Sequence, residues 1–431
     1  MTMISEANTA KARELTAQLT LEEKIGMIHG AALFHTQGVE RLGIPPMVFD
    51  DGPMGVRADT HDDDWAPRHN TRDAVTYLPS GSAVASTWNP ALAHLTGETL
   101  GQEARGRGKD VILGPSINIK RSPLCGRNFE YMSEDPLLTA VQGTAIIDGV
   151  QESDVAACPK HFAANNQETD RLDVDESIGE RALREIYLPA FRAAVQQGGA
   201  LTVMGAYNLV NGTQCCESET LLDRILRDEW GFDGLVVSDW SAVKNTEASA
   251  KVGLDVDMGV TPNFDDYYFA RPLLEAVRDG RVSEADVDRK VEHVLAVMDA
   301  LNMLGDARAE RKAGSYATLA HAQAALDVAR ESIVLLKNSA GVLPLDEHGT
   351  KRLLIIGANA DRIHSLGGGS AVIKTVHEIS PLLGINGMLG GNVDITYAEG
   401  YWAPQVNQDD TWQEDSLENS EQDATAEAER T

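Results

Sequence analysis

A chain of 431 residues is longer than one hydrophobic core usually organises, so two domains are expected. Hydrophobic content of 42% and charged content of 24% are ordinary for a globular protein. A formal net charge of −29 argues against a phosphate backbone as ligand and is easier to reconcile with a neutral one such as a sugar.

In chain order, Ala10 to Ile28 carries Leu15, Leu19, Ile25 and Met27 at roughly helical intervals and is expected as a helix. Short apolar runs follow, each ending in polar residues. They are Ile44–Phe49 into Asp50-Asp51-Gly52-Pro53, Asp110–Ile119, and Val155–Cys158 into Pro159-Lys160-His161-Phe162. Leu201–Met204 leads to Ala206-Tyr207-Asn208, Gly234–Val237 leads to Ser238-Asp239-Trp240, and Val252–Met258 is one more. Amphipathic helices are expected between them, as over Gly179–Gln197 and Cys216–Trp230. Strands alternating with helices imply a parallel sheet, and this many units over residues 1–305 predict an α/β fold of the (β/α)8-like TIM barrel type. Such barrels keep their chemistry where strands end, which is where Asp51, Lys160, His161, Tyr207 and Asp239 stand.

Val282–Leu304 reads as the helix that closes the barrel, with Gly305 placed to cap it. The charged, small residues 306–320 read as a linker. A second unit, 321–431, begins with a helix His321–Asn338 and a turn Ser339-Ala340-Gly341. A strand Arg352–Gly357, a loop Gly367-Gly-Gly-Ser-Ala371 and a strand Asn392–Ala398 follow, as the start of an incomplete α/β sandwich. Asp409 to Glu429 holds nine acidic residues and no basic one, so the tail from about 405 to 431 is expected to be solvated and disordered. Cys125, Cys158, Cys215 and Cys216 form no CxxC pair and are read as free thiols of a reducing compartment. With neither a signal-like N-terminus nor a long apolar run, the expected location is cytoplasmic.

Several segments together resemble glycoside hydrolase family 3, in its β-glucosidase branch. They are Asp51-Gly-Pro-Met-Gly-Val-Arg57, Leu113-Gly-Pro-Ser-Ile-Asn-Ile-Lys-Arg-Ser-Pro123, Gly126-Arg-Asn-Phe-Glu130 and Ser133-Glu-Asp-Pro136. Lys160-His-Phe-Ala-Ala-Asn-Asn-Gln-Glu-Thr169 continuing to Arg171, Met204 with Ala206-Tyr207-Asn208, and Ser238-Asp239-Trp240 follow in order. Val334-Leu-Leu-Lys-Asn338 and Gly367-Gly-Gly-Ser-Ala371 resemble the start of the family's second domain. The resemblance implies a retaining enzyme that cleaves terminal non-reducing β-D-glucosyl residues, with Asp239 as the nucleophile of a covalent glycosyl-enzyme.

It further implies Asp51 as an ionised acceptor for sugar hydroxyls, with Arg127, Lys160 and His161 as the basic group that binds them. Proximity of Arg127 is expected to keep Asp51 ionised, and Asp50 leaves that assignment open by one position. Tyr207 is expected to line the cleavage subsite, Trp240 to offer an apolar wall, and Arg57 and Met204 to support the site. The Lys-His-Phe-Pro-Gly-His loop of the family's N-acetylglucosaminidases is absent, since Ala163-Ala164-Asn165-Asn166 follow Phe162. Gly367-Gly-Gly-Ser does not fit G-x-G-x-x-G and is read as a loop over the sugar site. Neither cofactor nor metal is expected.

In relatives of this branch the general acid/base is a glutamate of the second domain, beyond the Gly-Gly-Gly-Ser-Ala region, and is expected well after position 431. Glu414, Glu418, Glu421, Glu427 and Glu429 lie in no resembling motif. The sequence therefore reads as the front part of a longer or split enzyme, binding β-glucosides or short β-linked oligosaccharides and turning them over poorly. The apolar surface around Leu353–Ile356 is expected to drive self-association or to take a complementing chain. The alternatives are a β-xylosidase or exo-glucan hydrolase of the same family, or a non-catalytic sugar-binding subunit.

Overall fold

Thr20 divides the expected N-terminal helix. Its hydroxyl accepts from the Glu23 N–H at 3.3 Å while the Glu23 carboxylate accepts from the Thr20 N–H at 2.9 Å, and this capping box starts a new helix. The result is α1 (Glu6–Thr16) and α2 (Leu21–Met27) in place of one helix to Ile28. The structure is a computed structural model that describes residues 4–346, 348–365 and 368–401. The expected disordered tail, with Glu414, Glu418, Glu421, Glu427 and Glu429, and Gly367 of the glycine loop lie outside the described residues.

The strands of the first unit are β1 (Gly30–Ala32), β2 (His35–Thr36), β3 (Phe49–Asp51), β4 (Val111–Leu113) and β5 (Ala156–Ala157). They continue as β6 (Asp175–Glu176), β7 (Thr202–Gly205), β8 (Leu209–Val210), β9 (Thr213–Gln214) and β10 (Leu235–Ser238). β3, β4 and β5 pair in parallel, Phe49 opposite Val111 and Val111 opposite Ala156. A parallel bridge from Phe162 to Gly205 carries the ladder on to β7, which pairs with β10. Val237 then meets Val256, and Asp257 meets His29 beside β1. The ring closes through β2, which is antiparallel to β1 and whose His35 bridges to Val48 just before β3. β6, β8 and β9 form a separate small sheet.

This is the expected (β/α)8-like barrel with one reversed member. Leu33 and Phe34 alone join β1 to β2, and a parallel return needs a crossover of about a dozen residues or more. Every residue of β3, β4, β5, β7 and β10 is buried, because helices cover a parallel sheet from outside while side chains fill it from within. The run from Ile44 becomes strand only at Phe49, since Pro45 and Pro46 have no N–H to give a ladder.

Outside the ring lie α3 (Gly81–Ser86), α4 (Pro90–Gly106), α5 (Pro136–Gln151), α6 (Glu180–Ala182) and α7 (Pro189–Gln196), with a wide-turned helix at Thr220–Glu229. α4 and α5 touch at their backbones: a Cβ on Gly97 would meet the Ile146 carbonyl oxygen at 2.1 Å. α8 (Thr246–Lys251), α9 (Arg271–Arg278) and α10 (Glu284–Ala300) complete the layer. α10 ends at Ala300 and the chain turns at left-handed Asn302, so Gly305 does not cap it but opens the turn Gly305–Glu310.

Residues 306–320 do not run free but are strapped to the barrel. Arg311 Nη1 lies 2.7 Å from Asp110 Oδ1, and the Ser315 N–H donates to the Gln102 carbonyl at 3.0 Å. α11 (Leu319–Glu331) stops short of the expected Asn338; the β-branched Ile333 and Val334 open an irregular, exposed stretch to Leu336. Gly341 makes the expected turn in a left-handed conformation. β11 (Arg352–Ile356) pairs in parallel with β12 (Asp394–Ala398) through the crossover helix α12 (Pro381–Leu389). The second unit meets the barrel where Val75 exchanges backbone bonds with Lys374 and Val376, and Lys374 Nζ pairs with Asp73 at 2.7 Å. No described helix is long and apolar enough to cross a membrane.

Candidate active site

Parallel strands carry the site residues to one end of the barrel. Asp51 ends β3, Lys160 and His161 follow β5, Tyr207 follows β7 and Asp239 follows β10. Asp239 is anchored by its backbone N–H, which donates to the Gly205 carbonyl at 3.0 Å. Its Oδ1 accepts from the Trp240 N–H at 2.8 Å, while Oδ2 is buried with no partner at hydrogen-bonding geometry, the Tyr207 hydroxyl lying near the carboxylate. Burial raises the Asp239 pKa, opposed by the charges of Arg127 and Lys160 and by the Tyr207 hydroxyl. The free oxygen therefore sits in a buried setting where desolvation outweighs the nearby cations and the hydroxyl.

His161 Nε2 lies 3.5 Å from Asp239 Oδ2 and is likewise buried without a partner. Burial, then Arg127, Lys160 and Arg171, push its pKa well below the usual imidazole range, so the ring is neutral.

The two adjacent aspartates part company. Asp51 Oδ2 accepts from Arg57 Nη1 at 3.1 Å, and its Oδ1 is 4.0 Å from Lys160 Nζ. Asp50 points elsewhere, to Lys109 at 2.6 Å, and burial pushes its pKa up to about 6 against that lysine. Successive side chains of a strand face opposite ways, so Asp51 is the one on the site.

The expected Arg127–Asp51 pairing is corrected. Arg127 gives its Nε to Glu130, and the cations facing Asp51 are Arg57 and Lys160. Glu130 also accepts from the Ser116 hydroxyl at 2.6 Å and stands 4.0 Å from Lys160 Nζ. Burial would raise its pKa, but Arg127, Lys160 and these hydrogen bonds bring it below the usual carboxylate value. Three strand-end segments thus share one buried charge network.

Aromatic side chains form the walls. Tyr207 stacks on His161 with centroids 6.5 Å apart, and Arg171 lies 4.9 Å over the Tyr207 ring. Burial and Asp239 raise the Tyr207 pKa well above the usual phenol value, keeping its proton available for donation. The Trp240 indole N–H donates to the Leu33 carbonyl at 2.7 Å, and its ring leans on Phe34, which in turn meets Trp65. Arg57 covers Trp65 at 5.1 Å and also donates from Nη1 to the Gly369 carbonyl at 2.7 Å, so the glycine-rich loop reaches the site. Met204 is buried within β7, its backbone bonded to Pro159 and Phe162.

Sequence reasoning missed Glu130, Asn118 and Arg171 as members of this constellation. Each lies in a segment quoted for its resemblance, and the buried acid three residues after Arg127 was the available signal. A carboxylate with an unpaired buried oxygen, a neutral imidazole beside it and a ring of cations and a second carboxylate can bind a polyhydroxylated ligand and attack it.

Barrel and site together define a (β/α)8-type protein with a buried carboxylate–imidazole–cation cluster at its strand ends. The glycosyl hydrolase family 3 N terminal domain matches residues 35–297, and the family's C-terminal domain matches residues 333–430. The chain belongs to glycosyl hydrolase family 3. It is 42% identical over 398 residues to a β-glucosidase of Bacteroides ovatus, covering 89% of this chain and 52% of that protein. It is 40% identical over 371 residues to an exo-α-(1→6)-L-arabinopyranosidase of Bifidobacterium longum, covering 82% of this chain and 46% of that one. β-Glucosidase 3B of Thermotoga neapolitana, solved in complex with α-D-glucose, superposes with a TM-score of 0.80 at 34% identity, over 98% of this chain and 57% of that one. The chain spans about half the length of the curated relatives it matches.

Proposed function

We propose that this chain carries the nucleophile and sugar-binding side of a retaining β-glucosidase. Asp239 attacks the anomeric carbon of a terminal β-D-glucosyl residue and forms a glycosyl-enzyme through an oxocarbenium-like transition state. Asp51, held by Arg57 and Lys160, accepts from ring hydroxyls; Lys160, Arg127 and His161 bind the others; Tyr207 lines the cleavage subsite and Trp240 and Met204 its walls. The observation that carries this reading is the buried, unpaired Oδ2 of Asp239 at the end of a parallel barrel strand.

A retaining mechanism also uses a second carboxyl about 5–5.5 Å from the nucleophile, which the family resemblance places in the second unit beyond Ala371. Of the two glutamates described there, Glu378 is tied to the His364 and Ser365 backbone N–H groups, and Glu399 is exposed. Neither is assigned the role, and general acid/base help is worth about 10²–10⁴-fold. In this reading the 431 residues alone cleave a dinitrophenyl β-glucoside, whose leaving group needs no proton, far better than cellobiose. Both rates are measured against a full-length relative; equal loss on the two substrates would refute the account in which no described carboxyl serves as the acid.

The arabinopyranosidase relatives at 40% identity favour a second reading, a pentopyranoside at the same site, and a panel of nitrophenyl β-glucoside, β-xyloside and α-L-arabinopyranoside ranks the two. The exposed Leu354 and Ile356 support association with a second copy or a complementing chain. A clean monomer by light scattering at high concentration would count against it.

A further inference from the structure

Asn118 lies just past β4, and its side chain is spent on a single residue. Its Nδ2 donates to the His161 carbonyl at 2.9 Å, and its Oδ1 accepts from the His161 backbone N–H at 2.7 Å. These contacts fix the amide orientation, since a flipped Asn118 would set N–H against N–H and oxygen against oxygen. The same Oδ1 is 3.1 Å from the ring Nδ1. An amide oxygen only accepts, so Nδ1 carries the proton. Tyr131 agrees: its hydroxyl, 3.4 Å from Nδ1, donates to the Asn165 carbonyl at 2.9 Å and so presents oxygen, not hydrogen, to the ring.

Burial and the surrounding cations keep the ring uncharged. One proton, placed on Nδ1, leaves Nε2 with a bare lone pair. That atom faces Asp239 Oδ2 at 3.5 Å; both are buried with no protein partner at hydrogen-bonding geometry, the Tyr207 hydroxyl standing near the same carboxylate. Two buried acceptors side by side are costly until a donor reaches them. Of the two ring atoms attached to the anomeric carbon, the ring oxygen has no hydrogen to give, whereas the neighbouring carbon carries a hydroxyl.

We propose that Asn118 is a positioning residue that locks His161 in the Nδ1–H tautomer, making the edge beside Asp239 an acceptor that selects sugars with a hydroxyl donor next to the anomeric carbon. The selectivity rests on the β-glucosidase reading of Asp239; the tautomer does not. The lock acts through His161 and needs no contact between Asn118 and the sugar. A hydroxyl donating between Nε2 and Oδ2 is held against the nucleophile, where bonds to that position strengthen as the transition state forms.

The test is nitrogen-15 NMR of histidine-labelled protein, with the His161 signals assigned by their loss in His161→Gln. The expected wild-type spectrum has a protonated, pyrrole-type Nδ1 and a bare, pyridine-type Nε2; an Nε2–H tautomer or a charged ring would overturn the lock. Asn118→Asp sets an anion against Nδ1, and both ring nitrogens are expected to become pyrrole-type. On the same samples, wild type should bind D-glucose about tenfold or more tighter than 2-deoxyglucose, the worth of one buried hydrogen bond, and the variant should lose that preference. A preference that survives the change in ring protonation would refute the selectivity. If Asn118→Asp does not fold, the wild-type spectrum and its two sugar affinities still decide. A protein that binds no glucose would sink the sugar-site reading and the selectivity with it, while the spectrum alone judges the tautomer.

Discussion

The barrel and the second unit treat apolar strands in opposite ways. β7 and β10 bury every residue, whereas β11 and β12 are half-buried on one face and exposed on the other. Leu354 and Ile356 are 57% and 63% exposed, and Ile333, Val334, Leu335 and Leu336 lie open as well. The barrel spends its burial on charge: Asp51, Glu130, Lys160, His161 and Asp239 are all nearly inaccessible and arranged around one another. Substitutions in the first region should therefore act on chemistry and stability, and in the second on association.

The largest effect is expected at the nucleophile. Asp239→Asn should lower hydrolysis of a dinitrophenyl β-glucoside by about 10⁴-fold or more while leaving the melting temperature nearly unchanged; a loss under tenfold would move the chemistry off this residue. Next comes the charge network. Glu130→Ala strands Arg127 and Lys160 and should destabilise the barrel by about 3–5 kcal/mol, read by urea denaturation, and a cost below about 1 kcal/mol would mean the network is well hydrated.

A third test uses pH. Burial pushes the Asp257 pKa up from 3.8 to about 7, opposed by the Phe269 and Tyr268 N–H groups. Between those values the folded chain holds a proton that the unfolded chain has released, so stability falls as pH rises through that window and the penalty is complete above about 7. Relative to Asp257→Asn, wild type should lose up to about 1.4 kcal/mol per pH unit there, and parallel stability curves would contradict the burial argument. The smallest stability effect belongs to the second unit: Ile356→Lys should change unfolding by less than about 0.5 kcal/mol yet shift the protein toward monomer in light scattering. A large stability loss would show that Ile356 is buried in solution.

The same contrast explains what the sequence revealed. Strands buried on both faces tend to read as apolar runs, so β4, β7 and β10 stood out, and the polar residues just after them marked the site. β2 was invisible, because a two-residue strand in a hairpin leaves no periodic trace. The break at Thr20 did have a signal, the Thr-x-x-Glu capping box, which helical spacing alone overlooked. Asp51 and Asp50 could not be separated by composition; the alternation of a strand separates them, and only their partners from other strand segments, Lys160 and Lys109, show which faces the site. Asn118 and Glu130 act on residues 43 and 30 positions away, His161 and Lys160. Such contacts are properties of the closed ring, not of local pattern.

The most direct test of the account is covalent trapping with a dinitrophenyl 2-deoxy-2-fluoro-β-glucoside, whose leaving group needs no acid. Mass spectrometry of the intact chain should show one added fluoroglucosyl group, and peptide mapping should place it on Asp239. A chain that stays unlabelled at saturating reagent, or a label on Glu130, Asp51 or any other carboxylate, would contradict the assignment of Asp239 as nucleophile.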